Sequence, residues 1–180
     1  AEFRRCFARA LAVAQATGTL RFGPLVNTLS MHHALGVAEE ICMLDQMSRG
    51  RLEVGFGRGV SPYEIGYYGV DPAQAQSLYH EGYQVIMQAL TQESVNFSGK
   101  HHEFRDVPVV LEPYRKAPPP IWYGVGLPEG ANWAAENRIN IVCNGPAASV
   151  RAVTDRYREH WDAIGATGPL PRLGVSRHVI

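Results

Sequence analysis

Apolar residues recur along the first part of the chain at helical spacing. Phe7, Leu11 and Ala14 fall on one face of a predicted helix, which Thr17-Gly18 ends. A second amphipathic helix is predicted from about Ala34 to Met47, since its apolar residues return every three or four positions. An extended segment separates the two helices. The pattern therefore begins as helix, strand, helix.

Strands and helices continue to alternate through the rest of the chain. Strands are predicted near residues 20, 51, 121, 139 and 173, and further helices begin near Asp71, Pro128 and Pro146. Residues 95–97 and 102–104 predict a small surface hairpin, joined by the turn 98–101. Alternation of this kind implies parallel strands with right-handed crossovers, hence an α/β fold. It does not by itself distinguish a barrel from a doubly wound sheet.

Composition narrows the class of partner. Lys plus Arg and Asp plus Glu number 17 each, so no overall field attracts nucleic acid or an anionic membrane. No apolar run approaches the roughly 20 residues that span a bilayer. Three widely spaced cysteines favour neither a disulfide framework nor a zinc site, and we predict a cytoplasmic protein. The chain opens within a helical pattern and stops within a strand-like run, so we expect it to be a piece of a longer protein.

A glycine-rich segment follows the predicted strand at 51–56. Gly55, Gly57 and Gly59 invite comparison with the dinucleotide-binding fingerprint, but Val60 and Pro62 occupy the positions where its third glycine would stand. An alternative follows from the alternation of a strand, which turns Gly55 and Gly57 to the same side. They would then leave space for an aromatic ring system, or simply relieve crowding in the interior.

Two loops are candidates for binding an anion. Arg58 follows Gly57 at the strand exit, where a guanidinium can clasp a phosphate or form a salt bridge with Glu64 or Asp71. The loop 124–130 leaves the next strand and enters a helix, where backbone N–H groups favour an anion. An ordinary connecting loop is the alternative there.

The histidines do not predict a metal site. They occur as His32-His33, as His80 beside an acid, and as His101-His102, without a pair spaced by four on a helix. We expect His101 and His102 to be exposed in the hairpin turn. His33 lies between a strand and a helix, where it could shape a pocket or merely belong to a loop. No nucleophile–histidine–acid arrangement or pair of glycosidase carboxylates follows from the spacings.

The residues around the glycine-rich segment carry a family resemblance. The run from Ala38 to Gly59 contains A-E-E, then L-D-x-x-S-x-G-R, then G-x-G-R-G, and Tyr68-Gly69, His80-Glu81 and the run 119–124 follow in order. These motifs resemble those of the bacterial luciferase-like monooxygenase family, which uses flavin or deazaflavin on a (β/α)8 TIM barrel. The resemblance implies that residues 1–180 form a partial barrel domain, from the second helix through the seventh strand, with a small hairpin insertion near 94–112.

The resemblance also implies a cofactor site. Leu25-Val26 match the position where relatives hold a non-proline cis peptide against the flavin ring, and Gly57 stands where the luciferase has a reactive cysteine. Arg58 matches an arginine on the flavin phosphate. The strand-exit loop that also reaches the phosphate in relatives corresponds to Val125, Gly126 and Leu127.

Two departures limit this transfer. Ser77 stands where the luciferase branch has a second phosphate arginine, which weakens the phosphate argument. The catalytic histidine of relatives comes from a region that this chain lacks, so the catalytic residues are unknown.

As the resemblance implies, the parent protein is an FMN-dependent monooxygenase that exchanges reduced flavin. A hydroperoxide formed on the flavin would insert one oxygen atom from O2 into a small organic substrate. A separate flavin reductase and a homodimer or homo-oligomer are the expected partners. The alternatives are a deazaflavin-dependent dehydrogenase or reductase, and a non-catalytic subunit like the second chain of luciferase. The 180-residue piece itself is expected to be inactive, because an open barrel leaves unpaired strand edges.

Overall fold

A computed structural model describes the backbone of residues 2–177 and the side chains of residues 7–177. Contacts within the chain divide it into two compact units, Ala1–Pro119 and Pro120–Ile180. The prediction that residues 1–180 form one domain stays a prediction. The last three positions of the predicted strand-like run at the end of the chain lie outside the described residues.

The first unit consists of helices that alternate with two short parallel strands, followed by a hairpin. Its elements are α1 Glu2–Ala16, β1 Asn27–Thr28, α2 Ala34–Ser48, β2 Val54–Gly57, α3 Pro62–Tyr67, α4 Ala75–Thr91, β3 Ser94–Ser98 and β4 Glu103–Pro108. Short 3-10 turns at Leu29–Met31 and Pro72–Gln74 precede α2 and α4.

The core of the first unit forms around β2. All four residues of this strand are buried, and β1 pairs with it in parallel, so that Asn27 lies opposite Phe56. Phe56 meets the ring of Tyr83 edge to face, with 6.4 Å between the ring centroids. Leu52 and Ile41 are also fully buried. The predicted strand is thus confirmed, although its ladder begins later than expected, at Val54, and burial does not alternate along it.

The end of α2 departs from expectation in one respect. Gly50 has a φ of +75° and supplies the left-handed turn that the sequence predicts. Asp45 and Arg51 flank this turn, and the sequence therefore allows them to bridge the helix end to the following strand, but they form no ion pair with each other. Arg51 instead donates from Nε to the carbonyl of Ser48 at 2.8 Å, and Asp45 accepts the backbone N–H of Tyr114 at 2.9 Å. Both residues still secure the scaffold, but through backbone groups.

Helix starts in the first unit follow their capping residues. Asp71 accepts from the N–H of Ala73 at 2.9 Å, as Asp-Pro predicts, but a 3-10 turn precedes the α-helix there. The sequence reasoning missed α3 entirely. Its cap is Ser61, whose hydroxyl accepts from the N–H of Glu64 at 3.2 Å, and Pro62 occupies the first turn.

The second unit repeats the strand–helix alternation. Its elements are β5 Ile121–Gly124, α5 Pro128–Glu136, β6 Asn140–Cys143, α6 Ala147–Ala163 and β7 Leu173–Val175. Strand β6 pairs in parallel with both β5 and β7. Tyr157 on α6 is fully buried and donates to the carbonyl of Ile139 at 2.9 Å, which ties the helix to the start of β6. The predicted α/β class with parallel strands is confirmed.

Candidate functional site

Arg58 leaves the carboxyl end of β2 with its guanidinium exposed. Its backbone carbonyl accepts the Ser30 hydroxyl at 2.8 Å, which fastens the strand exit to the turn after β1. Within the described residues, the guanidinium forms no hydrogen bond or ion pair, and the salt bridge to Glu64 or Asp71 that the sequence allowed is not formed. Glu64 and Asp71 act instead at helix starts. A cation is therefore accessible at this edge.

The space beside Gly55 and Gly57 is not an open hollow. A Cβ on Gly55 would lie 2.5 Å from the carbonyl oxygen of Pro24 and 2.6 Å from Cδ2 of Leu25, and one on Gly57 would lie 2.6 Å from Cγ2 of Val26. The interpretation that these glycines leave room for a ring is therefore wrong as stated. They relieve crowding, because they let the segment before β1 lie directly against β2.

The segment before β1 therefore forms the surface beside β2. The peptide bond between Leu25 and Val26 is cis, at the position that the family resemblance singled out. The Leu25 side chain is 58% exposed, which is unusual for a leucine beside a buried strand. An exposed apolar side chain, Leu25, thus precedes β1, and an exposed guanidinium, that of Arg58, follows its partner strand β2.

In the second unit, the loop Val125–Leu127 follows β5 and enters α5. Val125 is buried and donates its N–H to the carbonyl of Val142 at 3.1 Å, whereas Leu127 is 69% exposed. A Cβ on Gly126 would meet nothing within 4 Å. The helix start lacks a side-chain cap, but Gly130 already donates its N–H to the carbonyl of Leu127. An anion here would therefore depend on the backbone of Gly126 and Leu127.

The histidines at the carboxyl edge of the first unit lie against aromatic rings. The His33 ring meets the Phe104 ring edge to face, with centroids 5.9 Å apart. The His102 ring stacks on the same phenylalanine, also with centroids 5.9 Å apart. Burial lowers the pKa of His32 to about 4, and it also lowers the pKa of His102. His32 and His102 are therefore neutral imidazoles at pH 7. His33 does shape the loop, through a contact with the hairpin.

A polar network around Glu81 was missed by the sequence reasoning. Its carboxylate accepts the backbone N–H groups of Lys100, His101 and His102 at 2.8, 2.8 and 3.1 Å. The His101 ring nitrogen Nε2 lies 2.7 Å from the Ser77 hydroxyl. His101 and His102 are consequently half-buried rather than exposed, and the prediction of surface histidines is wrong. The only sequence signal was the His80-Glu81 motif of the resemblance.

The tautomer of His101 follows from its partner. The Ser77 hydroxyl donates to the carbonyl of Gln74 at 3.0 Å, so its oxygen is left to accept from Nε2–H of His101. Nδ1 of His101 is then the ring nitrogen without the proton in the neutral form. Ser77, which stands where the luciferase branch of the family has a phosphate arginine, thus orients the ring of His101.

The thiols are poorly placed for covalent chemistry or metal binding. Cys42 and Cys143 are both buried, and burial raises the pKa of the Cys42 thiol to about 11. Among the residues that the structure describes, no group of three His, Cys, Asp or Glu side chains could hold a metal ion. None of the helices in this part of the chain is long and apolar enough to cross a membrane.

Relatives by sequence include two bacterial proteins. The chain is 46% identical over 147 residues to the protein y4wF of Sinorhizobium fredii, which covers 82% of the chain and 43% of that protein. It is 28% identical over 148 residues to the alkanal monooxygenase beta chain of Photorhabdus luminescens, covering 82% of the chain and 45% of the relative. The chain therefore spans less than half the length of either relative.

Solved structures share the fold. Monooxygenase RslO1 from Streptomyces bottropensis matches with a TM-score of 0.85 at 24% identity, covering 94% of this chain and 53% of that one. An F420-dependent secondary alcohol dehydrogenase in complex with an F420–acetone adduct matches with a TM-score of 0.81 at 19% identity. The match covers 94% of this chain and 52% of that one. A third match is the oxygenating constituent of 3,6-diketocamphane monooxygenase of Pseudomonas putida, in complex with FMN. Its TM-score is 0.76 at 19% identity, and the match covers 91% of this chain and 50% of that one.

These matches settle the fold class and the family. The parallel α/β fold is that of the luciferase-like TIM barrels, and the chain corresponds to part of such a barrel. The family model for luciferase-like monooxygenases matches residues 2–180. The chain belongs to the luciferase-like monooxygenase family.

Proposed function

We propose that the intact protein is a flavin-dependent monooxygenase that uses reduced FMN and O2 to oxygenate a small organic substrate. The observation that carries this proposal is the placement of two exposed side chains beside one pair of strands, Leu25 just before β1 and Arg58 just after β2. Gly55, which contacts Leu25, and Arg58 are three residues apart, about 10 Å along an extended strand. A ligand that touches both is elongated, apolar at one end and anionic at the other.

FMN has this chemical character, because the faces and the dimethylbenzene end of its flat ring are apolar and its phosphate is a dianion. The surface for the ring is Leu25 and Val26, supported from below by Gly57, and the phosphate partner is Arg58, whose planar guanidinium can form two parallel hydrogen bonds. In the second unit, we propose that the backbone of Val125, Gly126 and Leu127 offers a further contact for an anion. Each of these assignments is a separate, testable contact.

When bound, a reduced flavin supplies the reaction with O2, which no side chain of the protein can perform. The residues of this chain bind and orient. Arg58 fixes the anionic end, Leu25 and Val26 cover one face of the ring, and the neutral imidazole of His102 stacks on Phe104 as part of the same carboxyl edge. Covering the ring with apolar side chains excludes water from the reacting face.

A deazaflavin-dependent dehydrogenase or reductase is the second candidate. It is suggested by the F420-dependent secondary alcohol dehydrogenase among the proteins that share the fold. Both cofactors carry a tricyclic ring and a phosphate, so the contacts proposed for Leu25 and Arg58 serve either. A non-catalytic subunit is the third candidate, suggested by the similarity to an alkanal monooxygenase beta chain.

We further propose a homo-oligomeric protein of the cytoplasm that receives reduced flavin from a separate reductase. Nothing about the substrate follows beyond its being small and organic. Size-exclusion chromatography with light scattering on the intact protein tests the oligomer, and a monomer would contradict it.

The decisive experiment titrates the intact protein with reduced FMN, with reduced riboflavin and with reduced deazaflavin, anaerobically. We expect Arg58→Gln to weaken FMN about tenfold or more, as for loss of a charged hydrogen-bonded pair, and to leave riboflavin, which lacks the phosphate, unchanged. Arg151→Gln, at an exposed arginine of α6, is the control.

Oxygen uptake then separates the candidates. Formation of an oxygenated product from an aldehyde or ketone, beyond the uptake that free reduced FMN causes by itself, supports the monooxygenase. A spectral change with deazaflavin and no uptake supports the dehydrogenase. Binding of neither cofactor supports the non-catalytic subunit and contradicts the proposal. Equal FMN affinity in Arg58→Gln removes Arg58 from the phosphate contact.

A further inference from the structure

A cavity of about 590 Å³ lies in the first unit at the edge opposite to Arg58. Arg51 precedes β2 and Arg58 follows it, and seven residues of extended chain separate them by about 23 Å. The volume falls in the range of about 300–1,000 Å³ that is typical of small-molecule sites. We call it the arginine pocket, and its polar lining consists chiefly of Thr17, Thr19, Arg21, Arg49, Arg51 and Arg115.

One of the four arginines is rigid and forms the floor. Arg51 donates from three nitrogens to the carbonyls of Ala14 at 2.7 Å, Ser48 at 2.8 Å and Leu20 at 2.9 Å, and to the Thr17 hydroxyl at 2.9 Å. Four of its five N–H groups are thus used on neutral oxygen atoms. No carboxylate takes part, so the charge of this guanidinium is held in place and remains unneutralised.

The other three arginines surround the opening and are exposed. Arg115 lies over the turn after α2, since a Cβ on Gly50 would come within 3.1 Å of its Nε. Arg49 caps α2 in the left-handed conformation. Neither side chain forms a hydrogen bond or ion pair within the described residues. Arg21 pairs with Glu53 at 2.7 Å.

The charge balance decides whether this cavity favours an anion. No Asp or Glu is among the residues that line it in the described part of the chain. Glu112 precedes Arg115 by three residues and pairs with Lys116 at 3.7 Å, so these two charges offset each other. Two further carboxylates lie nearby: Glu53, paired with Arg21, and Asp45, whose pKa is raised by burial and lowered less strongly by the N–H of Tyr114 and the charges of Arg115 and Arg21. The carboxyl ends of α1 and α2 contribute about half a negative charge each. An excess of about one positive charge remains even with both carboxylates ionised.

We propose that the arginine pocket binds a phosphoryl anion that carries more than one phosphate group, of the polyphosphate or nucleoside-phosphate class. Guanidinium groups match the geometry of phosphate oxygens by paired hydrogen bonds. Arg51 provides its one remaining N–H from a fixed position, while the exposed guanidinium groups of Arg49 and Arg115 line the same pocket beside the Gly50 turn. Thr19 adds a hydroxyl. This site is separate from the proposed cofactor edge and does not depend on it.

The experiment measures binding of inorganic tripolyphosphate to the intact protein by calorimetry, with citrate at matched ionic strength as the carboxylate arm. We expect saturable binding of tripolyphosphate, weakened about tenfold or more in the double variant Arg49→Gln with Arg115→Gln. Arg151→Gln is the matched control and should leave the affinity unchanged, and Arg58→Gln tests whether the anion binds at the cofactor edge instead. Because both mutated side chains are exposed, the melting temperature should stay the same.

Each outcome decides the proposal. Binding that is saturable, weaker in the double variant and unchanged in the Arg151→Gln control supports it. Absence of saturable binding overturns it, and so does binding that survives the double variant. Loss of affinity in Arg58→Gln would locate the anion at the cofactor edge, and citrate binding as tight as tripolyphosphate would refute selectivity for phosphate. Retention of charge in Arg49→Lys with Arg115→Lys should give an intermediate affinity.

Discussion

The carboxylate of Glu81 on α4 accepts the backbone N–H of His101, 20 residues further along the chain, at 2.8 Å. The same carboxylate receives the N–H groups on either side, from Lys100 and His102. These three hydrogen bonds lower the pKa of Glu81 although burial raises it. One side chain of a helix therefore fixes the turn of the hairpin and, through it, the ring of His101 beside Ser77.

Replacing Glu81 by Gln should loosen this turn. An amide offers one acceptor oxygen where the carboxylate offers two, and its NH2 group would face an N–H donor. We expect a loss of about 1–2 kcal/mol in the free energy of unfolding, and faster hydrogen exchange of the amides at residues 100–102. The matched control is Glu103→Gln, at an exposed acid of β4. An equal effect of both substitutions would show that the turn does not depend on Glu81.

The pH dependence of stability should carry a signature of His32. Burial lowers the pKa of this imidazole to about 4, from 6.5 in the unfolded chain. Between these two pH values the unfolded state binds more protons, so stability falls as the pH is lowered from about 6.5 toward 4. His32→Gln should flatten this slope in urea titrations at a series of pH values. Part of it should remain, because the pKa of His80 and of His102 is also lowered.

Two glycines of the first unit should respond in opposite directions to alanine. A Cβ on Gly23 would overlap the backbone carbonyl of Glu53, whereas one on Gly36 in α2 would meet nothing within 4 Å. Gly23→Ala should cost about 1–3 kcal/mol, because the extended chain there must move away from its partner. Gly36→Ala should gain roughly 0.5–1 kcal/mol through helix propensity. Chemical denaturation of both variants checks the sign, and two losses of similar size would refute the close approach.

The sequence predicts much of the fold because its signals are local. Helix starts at Asp71 and Pro128 and the left-handed turn at Gly50 depend on neighbouring residues, and each is found where capping rules place it. The hairpin turn 98–101 follows from its composition in the same way. Arg58 at a strand exit could likewise be identified as a candidate site from the sequence alone.

What the sequence does not reveal depends on distant contacts. Periodicity turns Gly55 and Gly57 to one side but cannot say that Leu25 and Val26 occupy the space beside them. It also cannot pair Ser77 with His101 or bring Arg115 to Gly50, since each pair is separated by more than 20 residues. The contact between Ser77 and His101 and the arginine pocket could therefore be found only from the three-dimensional structure.

Arg51 should be among the most sensitive surface-adjacent residues of the first unit. Its hydrogen bonds connect the end of α1 with the end of α2, and its guanidinium lies 5.5 Å from the centre of the Phe22 ring. Arg51→Lys cannot reproduce a planar group with four directed donors, so we expect a loss of about 2–3 kcal/mol. Arg49→Lys, two positions earlier, should stay within about 0.5 kcal/mol of the unmodified protein. If thermal denaturation shows equal, small effects, the carbonyl contacts of Arg51 contribute little.

The hydroxyl of Tyr157 should be essential to the second unit in a way that its ring alone is not. It donates to the carbonyl of Ile139 at 2.9 Å, and the side chain is fully buried. Tyr157→Phe would leave that buried carbonyl with one partner fewer, so we expect a loss of about 1–2 kcal/mol. Tyr67→Phe, at a tyrosine that is 85% exposed, is the matched control and should change stability by less than about 0.5 kcal/mol.

Burial raises the pKa of Tyr157 to about 12, so its phenol should remain protonated in the folded protein at pH 10.5, where exposed tyrosines already ionise. Ultraviolet titration of the unmodified protein and of the Tyr157→Phe variant measures this ionisation. If the unmodified protein gives a phenolate signal at pH 10.5 that the variant lacks, the packing of α6 on β6 does not shield this hydroxyl.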